Sequence, residues 1–302
     1  GVSLTGHRTL MQTDHVARLP IGMFDSGIGG LTVLHECLVA MPHEDFVYLG
    51  DTARFPYGPK SQADLCHFSM EIASYLDQVG VKLIVVACFS ATAAALPALQ
   101  AHCATPVVGI VTPGARAAVQ SSRYRRIGVM ATEATVASAS YLRAITALDA
   151  GAQVHQQACP GLATFIQEGD VFSSQLVERV RELAAPLRAV RPDVVIMGCT
   201  HYPLIAPMLQ RHLGREVTLV NPAAEIAAEV EEILCRQGIA RSDEREGSYR
   251  FLCTGDRESF REVGARFLQM PLEDVREVAL TDLAAALEAV GGPASTRQVA
   301  DP

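Results

Sequence analysis

The stretch LIVVACFSATAAAL, residues 83–96, decides the fold because it joins a strand pattern directly to a helix pattern. Five apolar residues from Leu83 onward predict a buried strand that ends at Cys88. The small and polar residues that follow Phe89 are typical of a helix that begins at once. This order predicts an α/β protein, in which reactive groups collect just beyond the carboxyl ends of parallel strands.

Similar patterns recur along the whole chain. The segment SSQLVERVRELAAPLRAV (173–190) has helical spacing, and such segments alternate with short apolar or β-branched runs. This alternation predicts doubly wound parallel sheets of the α/β class. The further predicted strands are RLPIGMF (18–24), DFVYLGD (45–51), TPVVGIV (105–111), RRIGVMA (125–131), AQVHQQAC (152–159) and PDVVIMGC (192–199).

Composition and charge narrow the class of partner. The chain has 302 residues, of which 49% are hydrophobic, and a net charge of −8. Because no lysine or arginine run is present, neither nucleic acid nor an anionic membrane is expected as a partner. We expect a small-molecule partner instead. No apolar run reaches the length that crosses a bilayer. Residues 1–20 lack the apolar core of a secretory signal, and we expect a flexible arm there.

Eight cysteines are scattered without paired spacings. This pattern argues against a disulfide framework and against a zinc site, so no metal is expected. It also predicts a reducing compartment, the cytoplasm. Most cysteines in such a chain are small buried hydrophobic residues, but two of the eight lie in distinctive contexts.

Two of the predicted strands end in glycine-containing turns. In DSGIGG, Asp25 and Ser26 precede three glycines that open a helix, an arrangement that binds anions through backbone N–H groups. Thr32 stands where the dinucleotide fingerprint requires glycine, so a carboxylate or amino-acid ligand is favoured. A simple tight turn capped by Asp25 remains the alternative. The second turn, FPYG, contains Tyr57 and Gly58 and is also compatible with an ordinary loop.

The segments LIVVACFSAT and DVVIMGCTHYP form an internal pseudo-repeat. Each places a cysteine, Cys88 or Cys199, at the end of a strand, with Ser90 or Thr200 close behind it. Two thiols that face one cleft suit disulfide redox chemistry, metal binding, or proton transfer on opposite faces of one carbon. Redox pairs usually share a CxxC turn and soft-metal sites need three or four ligands, so two-base proton transfer needs the fewest additional groups. His201 would assist Cys199, although a lone histidine is more often part of the core.

Five motifs carry a resemblance to a known family. The motifs are DSGIGGL (25–31), YLGDTARFPYG (48–58), ATEATVAS (131–138), GCTHYPL (198–204) and TGDRESF (254–260). They resemble, in order and spacing, the glutamate racemases of the aspartate/glutamate racemase superfamily, over a region from about Ile21 to Leu268. The resemblance implies a cofactor-independent 1,1-proton transfer that interconverts L- and D-glutamate, with D-glutamate used in peptidoglycan synthesis.

The resemblance also implies a domain organisation. It predicts a first α/β domain from residues 21–113 and 222–290, a second from 114–221, and an active site between them. Residues 291–302 are expected to form a flexible tail. We further expect a homodimer.

The family's site residues are carried over to matching positions. Cys88 resembles the thiol that acts on D-glutamate, and Cys199 the thiol that acts on L-glutamate. Asp25, Glu168 and His201 resemble the supporting acid–base groups. The expected substrate-binding residues are Asp25, Ser26, Tyr57, Gly58, Phe89, Ser90, Thr135, Thr200 and His201.

One position departs from the family pattern. Family members normally have Cys-Asn-Thr where this chain has Cys88, Phe89 and Ser90. The phenylalanine removes an amide that contacts the substrate, so we expect weakened glutamate binding. Two alternatives therefore stand beside glutamate racemisation: a related racemase or isomerase with a different substrate, and a catalytically weak paralogue with a binding role.

Overall fold

The computed structural model describes residues 13–291. Within this range, ten strands form two sheets in which every pairing is parallel. The strands are β1 (Ile21–Asp25), β2 (Phe46–Gly50), β3 (Leu83–Val86), β4 (Val107–Gly109), β5 (Arg126–Ala131), β6 (Gln153–Ala158), β7 (Val194–Gly198), β8 (Thr218–Val220), β9 (Tyr249–Cys253) and β10 (Val275–Glu277).

Helices connect the strands and cover the sheets. They are α1 (Leu31–Ala40), α2 (Gln62–Val79), α3 (Phe89–His102), α4 (Val111–Ser121), α5 (Glu133–Ala137), α6 (Ser140–Leu148), α7 (Leu162–Glu168), α8 (Ser174–Ala189), α9 (Ala206–Leu213), α10 (Pro222–Gln237), α11 (Arg257–Leu268) and α12 (Leu280–Gly291). Short 3₁₀ turns lie at Thr52–Arg54 and Tyr202–Ile205.

The predicted fold class is confirmed. The chain has two α/β domains, each built on a doubly wound parallel sheet. All seven predicted strands are present, and the helical segment predicted within 173–190 is α8. Three strands, β8, β9 and β10, were not predicted. Their apolar runs are short, and two of the three lie at sheet edges.

The order of the strands shows where each of the two sheets has a crevice at the carboxyl ends of its strands. The first sheet has the order β10–β9–β2–β1–β3–β4, and the second has the order β6–β5–β7–β8. The chain leaves β1 and β3 toward opposite edges of the first sheet, and leaves β5 and β7 toward opposite edges of the second. Ligands of such sheets bind at these switch points, beyond the carboxyl ends of the strands. Cys88 follows β3, and Cys199 follows β7.

The strands divide between the sheets along the chain. The first sheet takes its strands from residues 21–109 and 249–277, and the second from 126–220. Helices α4 and α10 lie where the chain passes between the sheets. The domain boundaries near residues 113 and 222 remain predictions.

The predicted N-terminal arm and tail fall largely outside the described residues. This applies to residues 1–12 of the arm and to residues 292–302 of the tail. Residues 13–17 form a helical segment, and the flexibility of the arm stays a prediction. The carbonyl oxygens of Ala17 and Arg18 accept hydrogen bonds from the side chains of Lys82 and Arg241. These contacts hold the end of the arm against the first domain.

Over residues 13–291, no helix is both long and apolar enough to cross a membrane.

A buried ion pair ties four segments of the first domain together. Lys82 Nζ lies 2.6 Å from Glu44 Oε2, and it donates to the carbonyl oxygens of Ala17 and Ile239, each at 2.9 Å. Glu44 Oε1 accepts from the backbone N–H of Arg241. Every partner of this ammonium is a buried or partly buried oxygen, so its removal leaves a carboxylate unpaired.

We expect Lys82→Met to lower the free energy of unfolding by about 3–5 kcal/mol, because Glu44 then remains buried without its counter-ion. The matched control is Arg215→Met, since Arg215 and Glu216 form an ion pair in which both side chains are over 80% exposed. That control should change the unfolding free energy by less than about 1 kcal/mol. Urea unfolding followed by circular dichroism measures both. Equal effects of the two substitutions would contradict this account.

Candidate active site

A cavity of about 100 Å³ lies between the carboxyl ends of the two sheets. Its walls come from both domains, and they include both cysteines of the pseudo-repeat. The predicted site residues that line it are Ser26, Tyr57, Gly58, Cys88, Phe89, Ser90, Cys199, Thr200 and His201.

Asp25 lies at the end of β1 and is fully buried. Its Oδ2 accepts hydrogen bonds from the backbone N–H groups of Gly27, at 3.1 Å, and Gly30, at 3.0 Å. The glycine-rich turn therefore wraps around this carboxylate. Its backbone donors are directed to a side chain of the protein itself, as in the capped-turn alternative.

Cys88 lies at the end of β3, at the N-cap of α3. Its Sγ accepts from the backbone N–H of Ala91 at 3.4 Å, and the polar groups of Ser26 partly offset the rise in the pKa of this thiol. Strand β3 runs beside β1, so Cys88 lies next to Asp25. Donors at the N-terminus of a helix favour a thiolate over a thiol.

Cys199 lies at the end of β7, in the second domain. Its Sγ is 3.7 Å from Nδ1 of His201, and the backbone N–H of His201 partly offsets the rise in the pKa of this thiol. Nε2 of His201 is 2.8 Å from Oε1 of Gln167 on α7. The imidazole is buried between the rings of Phe55 and Phe267, with centroid distances of 5.6 and 5.4 Å.

The two domains meet through buried polar contacts around the cavity. Thr32 Oγ1 donates to the carbonyl of Thr200 at 2.9 Å. On the other side, Ser90 Oγ lies 2.7 Å from Thr132 Oγ1, which is 3.2 Å from Thr135 Oγ1. These contacts join the ends of β1 and β3 in the first sheet to the ends of β7 and β5 in the second.

The loop Phe55–Gly58 covers one side of the cavity. The Tyr57 hydroxyl donates to the buried carboxylate of Asp51, which also accepts from Arg54 at 2.7 Å and from Thr254 at 2.8 Å. At the far end of the loop, the Gly58 carbonyl accepts from the backbone N–H of Ala134 in the second domain. The loop is therefore held by contacts in both domains, made by the adjacent residues Tyr57 and Gly58.

Comparison with known proteins gives the family. A family model described as Asp/Glu/Hydantoin racemase matches residues 32–230. The chain belongs to this family. It is 38% identical to a glutamate racemase from Listeria monocytogenes serotype 4a over 260 residues, which cover 86% of this chain and 98% of that protein.

Solved structures agree with this assignment. A glutamate racemase isoform from Bacillus anthracis superposes with a TM-score of 0.84 at 38% identity, covering 87% of this chain and 98% of the other. A Francisella tularensis glutamate racemase in complex with D-glutamate gives a TM-score of 0.82 at 32% identity, with the same coverage. The racemase family assignment from sequence motifs is therefore confirmed.

Three predicted site residues do not line the racemase-family cavity. Asp25 and Thr135 are fully buried directly behind its wall, where they contact Thr200 and Ser90 respectively. Glu168 is exposed at the last position of α7 and is not among the residues that line the cavity, so its supporting role stays a prediction. The helix instead directs Gln167, one residue earlier, to His201.

Several lining residues were not predicted. Thr132 and Glu133 follow β5, and Cys159 follows β6, so each is at a strand end where the sequence argument applied. Thr164 is on helix α7 and does not follow a strand, so the strand-end argument could not have predicted it. Within residues 13–291, no group of three or more His, Cys, Asp or Glu side chains is arranged to hold a metal ion.

Phe89 belongs to both the cavity wall and the core. It is only 3% exposed, and its ring stacks on Tyr141 of the second domain at a centroid distance of 6.3 Å. The hydroxyl of Tyr141 is buried without a hydrogen-bond partner. The ring therefore fills an apolar contact between the two domains, next to the space that a ligand would occupy.

Burial dominates the electrostatics of the site. It raises the pKa of the Cys88 thiol to about 12, with a further contribution from the Asp25 carboxylate. It also raises the pKa of Cys199 well above its usual range, and it raises the pKa of Asp25. Burial lowers the pKa of His201 to about 3. At neutral pH both thiols are protonated and the imidazole is neutral.

We expect Asp25→Asn to stabilise the fold by about 1 kcal/mol at pH 8, because it removes a buried charge and keeps an acceptor for Gly27 and Gly30. The pKa of Asp25 in the folded protein exceeds its ordinary value of 3.8, so the stability that this group contributes falls as the pH rises through the folded value. The gain should therefore shrink as the pH falls from the folded pKa of Asp25 toward 3.8.

Thermal and urea unfolding of both proteins at several pH values measures this effect. Asp170→Asn is the control, because Asp170 is exposed and its acceptor contact to the Phe172 N–H survives the change. A gain that is independent of pH would contradict the assigned cause.

We expect Phe89→Asn to lower the free energy of unfolding by about 3 kcal/mol, because it leaves a cavity against Tyr141 and buries an amide there. It should not raise the kcat/KM for glutamate, since the ring supports the wall around the site. Phe89→Leu keeps the apolar contact and should lose less stability. A higher kcat/KM in Phe89→Asn would show that the phenylalanine obstructs a polar ligand.

Proposed function

We propose that this chain is a cofactor-independent glutamate racemase that uses Cys88 and Cys199 as its two acid–base groups. One observation carries the proposal: two buried thiols, each from the switch point of a different sheet, line one cavity. The similarity to glutamate racemases from Listeria monocytogenes and Bacillus anthracis supports the substrate.

Inversion at one carbon needs an acid and a base on opposite faces. In one direction the Cys88 thiolate removes the α-proton of D-glutamate, and the Cys199 thiol gives its proton to the other face to yield L-glutamate. The reverse reaction exchanges the two roles. One proton leaves and one arrives, so charge and atoms balance. A single base would tend to return the proton to the face it came from.

The raised pKa values of the thiols suit this chemistry. The α-hydrogen of an amino acid is a very weak acid, and a thiolate of higher pKa is a stronger base toward it. Burial raises the pKa of both cysteines, so each thiolate, once formed, is poorly solvated and reactive. Donors to the sulfur from Ser26 and from the backbone of His201 offset part of this cost.

Neutral donors would hold the substrate. The cavity wall carries the hydroxyl groups of Ser26, Ser90, Thr132 and Thr200. Such groups, with backbone N–H groups, bind carboxylates and stabilise the charge that develops next to the α-carbon. The bound D-glutamate named for the Francisella tularensis enzyme supports a ligand of this size and polarity in the shared fold.

The alternative functions are not favoured. A different substrate and a catalytically weak binding paralogue were both inferred from Phe89. The extensive similarity to glutamate racemases supports neither. We further propose that D-glutamate from this reaction supplies peptidoglycan synthesis in the cytoplasm and that the enzyme is a homodimer, which sedimentation equilibrium tests.

Proton transfer in D₂O tests the function directly. We expect either enantiomer of glutamate to be converted to the other, with one deuteron at Cα of the product. At early conversion the remaining substrate should keep its α-hydrogen, because the two faces are served by different thiols. Proton NMR with chiral analysis measures both pools. Retention of hydrogen in the product would indicate a single base, and a protein that exchanges no α-hydrogen would disprove the function.

Cys88→Ser and Cys199→Ser should each reduce racemisation by more than about a hundredfold, because an alcohol is far less acidic than a thiol and supplies no comparable base. Cys235→Ser is the matched control, since Cys235 is exposed and lies away from the cavity. Full activity in either of the first two variants would show that the thiol is dispensable.

A further inference from the structure

Both nitrogens of the His201 ring have polar partners. Nε2 lies 2.8 Å from Oε1 of Gln167, while Nδ1 lies 3.7 Å from Cys199 Sγ and 3.4 Å from Thr200 Oγ1. The rings of Phe55 and Phe267 pack against the imidazole. Water is therefore largely excluded from the imidazole, which is 1% exposed.

The carboxamide oxygen of Gln167 fixes which nitrogen holds the proton. This oxygen carries no hydrogen, so a bond of 2.8 Å requires His201 to donate through Nε2–H. A neutral imidazole protonated at Nε2 has a free lone pair at Nδ1. That lone pair faces the sulfur of Cys199.

We propose that Gln167 is a positioning residue that holds His201 in the neutral tautomer protonated at Nε2, so that Nδ1 accepts the proton of the Cys199 thiol. The proposal deepens the two-thiol racemase function and rests on it. When Cys199 serves as the base, its proton moves to Nδ1 and a thiolate and an imidazolium form. When Cys199 serves as the acid, the sulfur gives its proton to the substrate carbon.

An amide differs from a carboxylate in this place. A carboxylate would stabilise the imidazolium by its charge, whereas the amide of Gln167 offers only a hydrogen bond. The neutral pair of thiol and imidazole is therefore the resting state, in agreement with the burial of both groups. The first domain supports Cys88 differently, since a carboxylate, Asp25, lies next to that thiol.

Other ionisable groups surround Cys199 and His201. Asp25, Cys88 and Cys159 act on Cys199 from the ends of β1, β3 and β6. Glu168 on α7 is adjacent to Gln167, and Arg266 on α11 is adjacent to Phe267. Both charged side chains are exposed. None of these groups makes a hydrogen bond to Nε2 among the contacts of residues 13–291, so the tautomer depends on Gln167.

Nitrogen NMR of the unliganded protein tests the tautomer. The chain has nine histidines, so ¹⁵N-histidine labelling with long-range ¹H–¹⁵N correlation is practical, and the His201→Gln variant assigns the signal. We expect a protonated Nε2 and an unprotonated Nδ1 at pH 7. A signal from the opposite tautomer, or from the imidazolium, would overturn the proposal.

Two substitutions separate positioning from simple packing. Gln167→Leu keeps the size of the side chain but removes the acceptor, so the Nε2–H tautomer should lose its dominance and kcat/KM should fall about tenfold to a hundredfold. The fall should be equal for L- and D-glutamate, because the equilibrium constant between enantiomers is one. Gln167→Glu keeps an acceptor, so it should retain the tautomer and raise the pH at which His201 titrates.

The control is Gln175→Glu, which adds the same charge at an exposed position of α8. It should leave the tautomer, the His201 titration and kcat/KM unchanged. An unchanged tautomer and kcat/KM in Gln167→Leu would overturn the proposal. If the wild-type protein does not racemise glutamate, the proposed function fails, while the NMR of wild type and Gln167→Glu still decides the role of Gln167.

Discussion

Close contact between the turn after β1 and the segment after β7 determines the geometry of the site. A Cβ atom placed on Gly29 would lie 2.3 Å from Thr200 Oγ1 and 2.4 Å from His201 Nδ1. Only glycine permits this approach, because any side chain would separate the two segments. The bond from Thr32 to the Thr200 carbonyl then fixes the distance. Cys88 lies at the end of β3, which is next to β1, and Cys199 lies at the end of β7. Because the ends of β1 and β7 are in contact, both thiols reach the same cavity.

This contact has an energetic cost, which arises from desolvation. The turn and the strand ends exclude water from Asp25, Cys88, Cys199 and His201, and burial shifts the pKa of each toward its neutral form. A site made of such groups reduces stability, and the surrounding core must offset the loss. The same burial makes each thiolate a stronger base once it forms. Desolvation therefore lowers the stability of the fold and raises the reactivity of the thiolates at the same time.

The sequence predicted the parts of the fold that have strong local signals. Strands β1 to β7 coincide with clear apolar or β-branched runs, whereas β8 and β10 have three residues each and lie at sheet edges. Strand β9 begins with Tyr249 and Arg250, which leaves an apolar run of only three residues. Such strands are specified by their neighbours in the sheet, and single-sequence periodicity does not record those neighbours.

The site residues also differ in how far the sequence alone could predict them. Residues directly after a strand were predictable, because topology alone brings strand ends together. Glu168 lies on a helix, where adjacent positions differ in direction by about 100°, so topology alone does not decide whether its side chain faces the site. A register error of one residue therefore exchanges an exposed carboxylate for the amide that contacts His201. Motif matching fixes the helix, but only the packed structure fixes which of its faces meets the site.

The two thiols have unequal surroundings, and yet they must perform equivalent work. Cys88 is at the N-terminus of α3 next to a carboxylate, whereas Cys199 lies next to a neutral imidazole. The negative Asp25 opposes thiolate formation at Cys88, and the helix N–H groups favour it. At Cys199 the backbone N–H of His201 replaces the helix, and Nδ1 of the same residue lies 3.7 Å from the sulfur. Because enantiomers have equal free energies, kcat/KM in the proposed racemisation must be the same in both directions, whatever the basicity of each thiol. Unequal local contacts, with Asp25 beside Cys88 and Gln167 beside His201, are therefore compatible with equal rates in the two directions.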